Sequence, residues 1–397
     1  MFAILREQPH YRRLWLASLL SQTGSHISRI AMILWLAEQY GVAPVGWLIL
    51  CETIPGSLAA LCSGAVVDRF DKRKIMIASD LIRLAALLVP AYWATPWVLY
   101  LATCICSTAA AFFEPARSAS APLIVPTDAL PRAAALDRAA STAVLITGPY
   151  AGALIVHWLG LRVALLIDAG SYLLSAVVLW PLAVPQVVRG TVQPLMRDIR
   201  EGWQYLWNHG VAFEASVLVE LSVICVGIWT PLAPAFVTQF LRADDRLIGL
   251  QMGLFGLGGL LGAPLAPAAI ERWGNWTVLT AMLLAESCMM LVYTLVPSPV
   301  LSSLLIVVWG VIVAVLLVTY SSLLQRTVDE AFLGRVFAVT RQLESLGTVA
   351  AIGLALLMHD VLPPQRILLL AAIAYVAVTV LYRLSRRSVR LMHAAAA

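Results

Sequence analysis

The 397-residue chain is 61% hydrophobic and 12% charged, with a formal net charge of +5 and a mean hydropathy of +0.86. A soluble protein carries about 25% charge and about 45–50% apolar residues, so these values exclude a water-soluble globular fold. They place most of the chain inside a bilayer.

A helix needs roughly 20 residues to cross about 30 Å of hydrocarbon. Cutting at charged and Pro/Gly-rich breaks predicts twelve spans, near 13–38, 45–67, 75–94, 97–119, 138–158, 162–184, 212–239, 247–270, 276–296, 299–322, 337–358 and 365–384. None alternates polar and apolar at every second residue, as barrel strands would. Met1 to Arg13 is polar and basic, and no small-residue cleavage site follows the first apolar run. No cleavable signal peptide is therefore expected, and the first span is retained.

Ionisable side chains inside spans are costly and functional by default. Arg29 on span one and Glu52 on span two fall at similar depth in the outer half and are expected to face each other. Two readings of that pair stand side by side. Glu52 accepts or releases a proton while Arg29 meets an anionic or polar substrate group, or the two form a static helix–helix salt bridge. His26 is a further cavity candidate.

The densest charge cluster is GAVVDRFDKRK, Gly64 to Lys74, in the short turn between spans two and three. Gly64 is expected to allow close helix approach. Arg69, Lys72, Arg73 and Lys74 suit the inner headgroups. Asp68 opposes a purely anchoring role. Further along, Asp80, Arg83, Asp168 and Glu286 read as structural, and Gly148-Pro149-Tyr150-Ala151-Gly152 in span five reads as a kinked, tightly packed segment.

The longest internal polar interval, about Pro185 to Ala212, divides six spans from six and gives domains 1–184, a linker 185–211, and 212–397. Within the linker, Leu195, Met196, Ile199, Trp203, Leu206 and Trp207 recur at helical spacing, with Arg197, Arg200, Glu201 and Gln204 opposite. Such a helix would lie flat on the inner surface. In the second half, Glu220 and Trp229 on span seven are cavity candidates, Glu214 lies nearer the inner mouth, and Arg341 is expected to pair with Glu344. The glycine run 253–262 reads as helix packing, since no strand–turn–helix context surrounds it.

With both termini inside, only Arg162, Arg242, Arg246 and Arg366 fall outside. Arg29, Arg83 and Arg341 sit within spans, and every other Lys and Arg, including Arg189, Arg386, Arg387 and Arg390, is inner. The positive charge is thus a topology signal rather than a nucleic-acid footprint. The six cysteines all fall within predicted spans without zinc spacing and read as buried small hydrophobes. No Walker sequence, metal-spaced His/Cys cluster or nucleophile elbow occurs, so neither a cofactor nor a metal is expected.

The loop Gly64–Lys74, with its Gly, Asp-Arg and basic run, resembles the loop signature of the major facilitator superfamily. FFEPARSASAPLIVP (112–126), LIDAGSYLLSA (166–176) and LLQRTVDEAFLGRVFAV (323–339) resemble the branch of enterobactin exporters and macrolide efflux pumps. The resemblance implies an all-α membrane protein of twelve transmembrane helices in two pseudo-symmetric six-helix bundles working by alternating access. It implies that Asp68 and Arg69, with Gly64 and Arg73 in the same loop, form a cytoplasmic gate that closes against the opposite half. It likens Gly148, Pro149 and Gly152 to a signature of proton-driven exporters. Two departures stand out: Asp71 replaces a common glycine, and span four lacks a central arginine found in many proton-coupled relatives.

The expected function is therefore proton-coupled export of a small amphipathic molecule, a siderophore or drug-like compound, by a monomer. The substrate and proton cavity is assigned to Arg29, Glu52, Glu220, His26 and Trp229. The expected location is multi-pass in a bacterial-type inner (cell) membrane with both termini cytoplasmic. Siderophore import or lysolipid transport remains open within this fold. A lipid enzyme would need nucleophiles or metal ligands clustered at one interface, and an assembly protein would lack a polar cavity.

Overall fold

The computed structural model describes residues 4–185, 195–244 and 246–385. Arg189 and the basic tail at Arg386, Arg387 and Arg390 lie outside them. Among the described residues the regular structure is entirely helical. The chain divides into two compact units, Met1–Leu195 and Met196–Ala397.

The first unit contains α1 (Ile4–Glu7), α2 (Pro9–Tyr40), α3 (Val42–Arg69), α4 (Lys72–Tyr92), α5 (Pro96–Ile124) and α6 (Leu130–Leu179). Prolines open α2, α5 and α6, where a missing N–H costs nothing. Only Phe70 and Asp71 separate α3 from α4. Asp71 caps α4 by accepting from the backbone N–H groups of Arg73 and Lys74, at 2.9 and 3.2 Å. The acid that departs from the family pattern thus starts the next helix.

The second unit contains α7 (Leu195–Asn208), α8 (Gly210–Ala235) extended by a π-turn at Phe236–Phe240, α9 (Arg246–Gly262) and α10 (Leu265–Trp273). It continues with α11 (Asn275–Leu295), α12 (Pro299–Thr327), α13 (Glu330–Met358) and α14 (Pro364–Leu384). The two units repeat one packing plan. In the first, α3 packs on α5, and α4 on both α5 and α6; in the second, α9 packs on α12, and α11 on both α12 and α14. Likewise α2 lies against α6, and α8 lies against α13 and α14.

By length and composition eight described helices can cross a membrane, and the pair α9–α10, bent by 51°, makes a ninth. Of these, α6 comprises two predicted spans, two helical stretches that meet at a kink. The break falls at Gly160, at φ 80° and ψ 168°, where a side chain would be strained. That break lies at the boundary expected between spans five and six, while Pro149 lies inside the helical stretch before it. The helices α2 and α13, of 32 and 29 residues, are long enough, but polar residues such as Gln22, Ser25, His26 and Arg29, or Arg341, Gln342 and Glu344, lower their hydropathy.

Each unit turns polar groups inward and apolar groups outward, as lipid demands. Asp80, Arg83, Asp168 and Glu286 are at most 4% exposed, whereas Leu101, Trp97, Leu304 and Leu357 are at least 61% exposed. Where helices touch closely, glycine makes room. A Cβ on Gly152 would stand 2.7 Å from the Ile27 carbonyl oxygen, and one on Gly262 would stand 2.5 Å from that of Val311. Gly258 and Gly310 meet the facing backbone of α12 and α9 more closely still.

Three expectations are corrected. A Cβ on Gly64 would meet nothing within 4 Å, because α3 approaches α5 at Gly56 and Ser107 instead. Cys62 and Cys288 are exposed and Cys51, Cys104 and Cys106 half-buried, leaving Cys225 as the buried one. The apolar face of α7 is divided. Leu206 is buried and Gly202 packs against the Arg335 carbonyl oxygen of α13, at 2.9 Å from an ideal Cβ, while Trp207 points away. An indole is too large for that backbone contact. Leu195, Met196 and Arg197 belong to α7, but their side chains lie outside the described set.

Candidate functional site

In the first unit, α2 carries the polar face that organises everything around it. Arg29 Nε donates to both Glu52 oxygens, at 3.0 and 2.9 Å, joining α2 to α3. The two side chains are 31% and 38% exposed, so the pair is not sealed inside the bundle. His26 lies within electrostatic reach of both. Its Cβ is seated over Gly148, 2.7 Å from where a Cβ of that residue would be. The span-five residues Gly148 and Gly152 therefore press α6 onto α2 one turn away from Arg29, with Pro149 buried between them.

The same unit holds a second, largely enclosed network. Arg83 pairs with Asp80 at 2.5 Å, and its guanidinium lies between the rings of Phe113 and Tyr172, at 4.7 and 4.3 Å. Ser175 donates to the other Asp80 oxygen at 2.6 Å, and Ser28 donates to Asp168. Ser25 and Tyr172 share a hydrogen bond of 2.8 Å. This cluster ties α2, α4, α5 and α6 together.

At the C-terminal end of α3, Asp68 is half-buried and Arg69 exposed, and among the described residues neither side chain makes a hydrogen bond or ion pair. Arg73 instead reaches back within its own unit to the Leu182 carbonyl, at 3.4 Å. Arg13 donates to the Pro181 carbonyl at 3.0 Å and the Ala183 N–H donates to His10 at 3.4 Å. Three basic side chains thus hold the segment that leaves span six. Nearby, Arg117 pairs with Glu114 and Asp137, at 3.1 and 3.3 Å, and Tyr11 donates to Asp137 at 3.0 Å. Sequence reasoning missed this knot; its signal was the acid–base spacing inside FFEPAR.

In the second unit, Glu220 on α8 lies over Gly347 of α13 within electrostatic reach of Glu344. Its Oε1 is buried without a hydrogen-bond partner. Among the described residues no ion pair within 4 Å joins Arg341 to Glu344, yet the exposed Arg341 lies within electrostatic reach of Glu344, as Glu344 does of Glu220. Trp229 belongs to an aromatic group with Trp309 and Tyr293, with ring centroids 6.0 and 6.5 Å away. Behind it Glu286 accepts from Ser222, Tyr375 and Trp309, at 2.8, 2.8 and 3.4 Å. Glu214 accepts from Tyr382 at 2.9 Å. Among the described residues no group of three His, Cys, Asp or Glu is arranged to hold a metal ion.

The family model described as Major Facilitator Superfamily matches residues 14–352, most of the chain. The chain belongs to this superfamily. Its fold agrees with solved transporters of low sequence identity. The nucleoside transporter NupG superposes with a TM-score of 0.75 at 14% identity, covering 94% of this chain and 98% of that one. A bacterial homologue of the iron transporter ferroportin gives 0.75 at 16% identity, covering 95% and 99%. Among curated relatives, macrolide efflux protein A of Streptococcus pyogenes is 26% identical over 363 residues, 87% of this chain and 88% of that protein. Multidrug efflux pump Tap of Mycolicibacterium fortuitum is 25% identical over 343 residues, 81% and 82% of the two chains. This superfamily member is a multi-pass membrane transporter of small molecules.

Proposed function

We propose that this transporter exports a small amphipathic molecule, drug-like or siderophore-like, in exchange for protons, alternately opening one binding site to each side of the membrane. The observation that carries the reading is the Arg29–Glu52 pair. An ion pair at this depth and only partly covered is expensive against lipid, so it fits a face open to water or substrate. It is also easily opened, since a solvent-accessible pair is worth about 0–1 kcal/mol. Substrate displacing Glu52 from Arg29 frees the carboxyl to take a proton, which couples the two events. His26, beside the pair, supplies a second titratable group, and within the second unit Glu220 and Trp229 are the acid and the aromatic face assigned to the cavity. The export direction draws support from the efflux names of the relatives and from the resemblance of Gly148-Pro149-Tyr150-Ala151-Gly152 to the exporter signature.

The remaining assignments follow the same reading. Asp68, Arg69 and Arg73, in the loop that begins at Gly64, form a gate on the cytoplasmic side, both termini are cytoplasmic, and a monomer in the bacterial inner membrane is the working unit. The partition 1–184, 185–211 and 212–397 separates two moving bodies from their tether.

Inverted vesicles holding the transporter, given an imposed pH gradient and screened with macrolides, other drugs and siderophores, test the proposal. Gradient-dependent accumulation is expected for at least one class, and Glu52→Gln is expected to abolish it while leaving the folded yield unchanged. Accumulation that ignores the gradient for every accumulated substrate removes the antiport reading. Full coupled transport by Glu52→Gln reduces the pair to a static clip.

A further inference from the structure

The helix α7 has two unlike faces. The inward one is committed to α13: Glu201 pairs with Arg335 at 3.0 Å, the Tyr205 hydroxyl accepts from the Asp329 N–H at 2.9 Å, and Gly202 and Leu206 are buried. The outward one carries Trp203 and Trp207, one turn apart, with Trp207 68% exposed. A recess of about 270 Å³ opens there, lined by Trp203, Gln204, Trp207 and Asn208. Exposed Arg200 stands one turn before Gln204.

The position of this recess relative to the spans selects its occupant. The Trp207 ring packs edge-on against Phe213, 4.9 Å away, in the first turn of α8. Val217, 47% exposed, continues the same outward surface one turn further along the span. The indoles therefore sit level with the end of a membrane helix, at the depth where tryptophan prefers the headgroup layer. The recess is lined by two indoles and two amide side chains, and exposed Arg200 stands one helical turn before Gln204. That combination matches a phosphodiester with hydrocarbon attached to it: donors for the phosphate oxygens and an apolar track for the chains.

We propose that this recess binds one glycerophospholipid of the adjoining leaflet. Its phosphate sits among Arg200, Gln204 and Asn208, and its first acyl carbons run along Trp207, Phe213 and Val217. The helix then works as a lipid-anchored strap on the second unit, fixed to α13 on one side and to the bilayer on the other.

The test uses the full-length transporter in vesicles of phosphatidylethanolamine and phosphatidylglycerol, doped with a phospholipid bearing a diazirine near its headgroup. After photolysis, peptide mapping is expected to find adducts within residues 200–217. Trp203→Ala/Trp207→Ala is expected to lower their yield about tenfold. No adducts in that stretch, or an unchanged yield in the double variant, overturns the proposal. Should that variant fail to fold, Gln204→Ala/Asn208→Ala removes only the amides and is expected to lower the yield about threefold; an unchanged yield overturns it equally. Excess glycerol phosphate is expected to leave the adducts unaffected, and effective competition would assign the recess to a soluble phosphate instead.

Discussion

Two ion pairs in the first unit show how burial decides what a charge can do. Arg83 and Asp80 are almost completely enclosed, with side chains 5% and 0% exposed. Removing one partner strands the other, a change that costs about 3–5 kcal/mol. Arg83→Met is therefore expected to cut the yield and melting temperature of the purified protein. Arg83→Met/Asp80→Asn is expected to recover much of the loss, which a double-mutant cycle in detergent would show. Separating Arg29 from Glu52, each about a third exposed, is expected to cost less stability than breaking the enclosed pair. On the proposed role, their variants are expected to change transport more than melting. At Asp71, substitution by Ala removes the two-fold cap of α4 and is expected to cost about 1 kcal/mol, read as a small melting shift.

At the scale of helices, small residues set the spacing. Gly258 and Gly310 meet facing backbone directly, so Gly258→Leu is expected to force α9 from α12 and to shift the detergent-purified protein into aggregate on size exclusion. Gly259→Leu is the matched control: a Cβ there meets nothing within 4 Å, and a monodisperse peak is expected. The packing role of the 253–262 stretch was readable from composition, because a glycine-rich apolar run has few other uses in a membrane. Which glycine touches what was not readable, since that depends on the rotation of each helix. The same limit explains Gly64, where a motif position suggested a contact that the helix turns away from. It explains α7 as well. Period alone grouped Leu206 with Trp207, yet packing against α13 took the leucine and excluded the indole. The depth match of Arg29 and Glu52 was legible because the length of a span measures distance across the membrane directly.

Over the whole molecule, hydropathy exposed the membrane class and the division into repeated halves, because the bilayer imposes one length on every crossing. It could not show that the acids on scaffold helices form an enclosed knot, which needs side chains from four helices at once. The asymmetry of Lys and Arg leads to one further expectation. Reporter fusions after Ser385 should be active only with a cytoplasmic reporter, while an insertion at Gly160 should report the outer side. Periplasmic activity after Ser385 would reverse the topology. The break at Gly160 also has a consequence for charge. Arg162, two residues on, rests its guanidinium over the Tyr92 ring, 4.5 Å away, so the last residue of α4 screens a cation that the turn between two spans would otherwise leave bare.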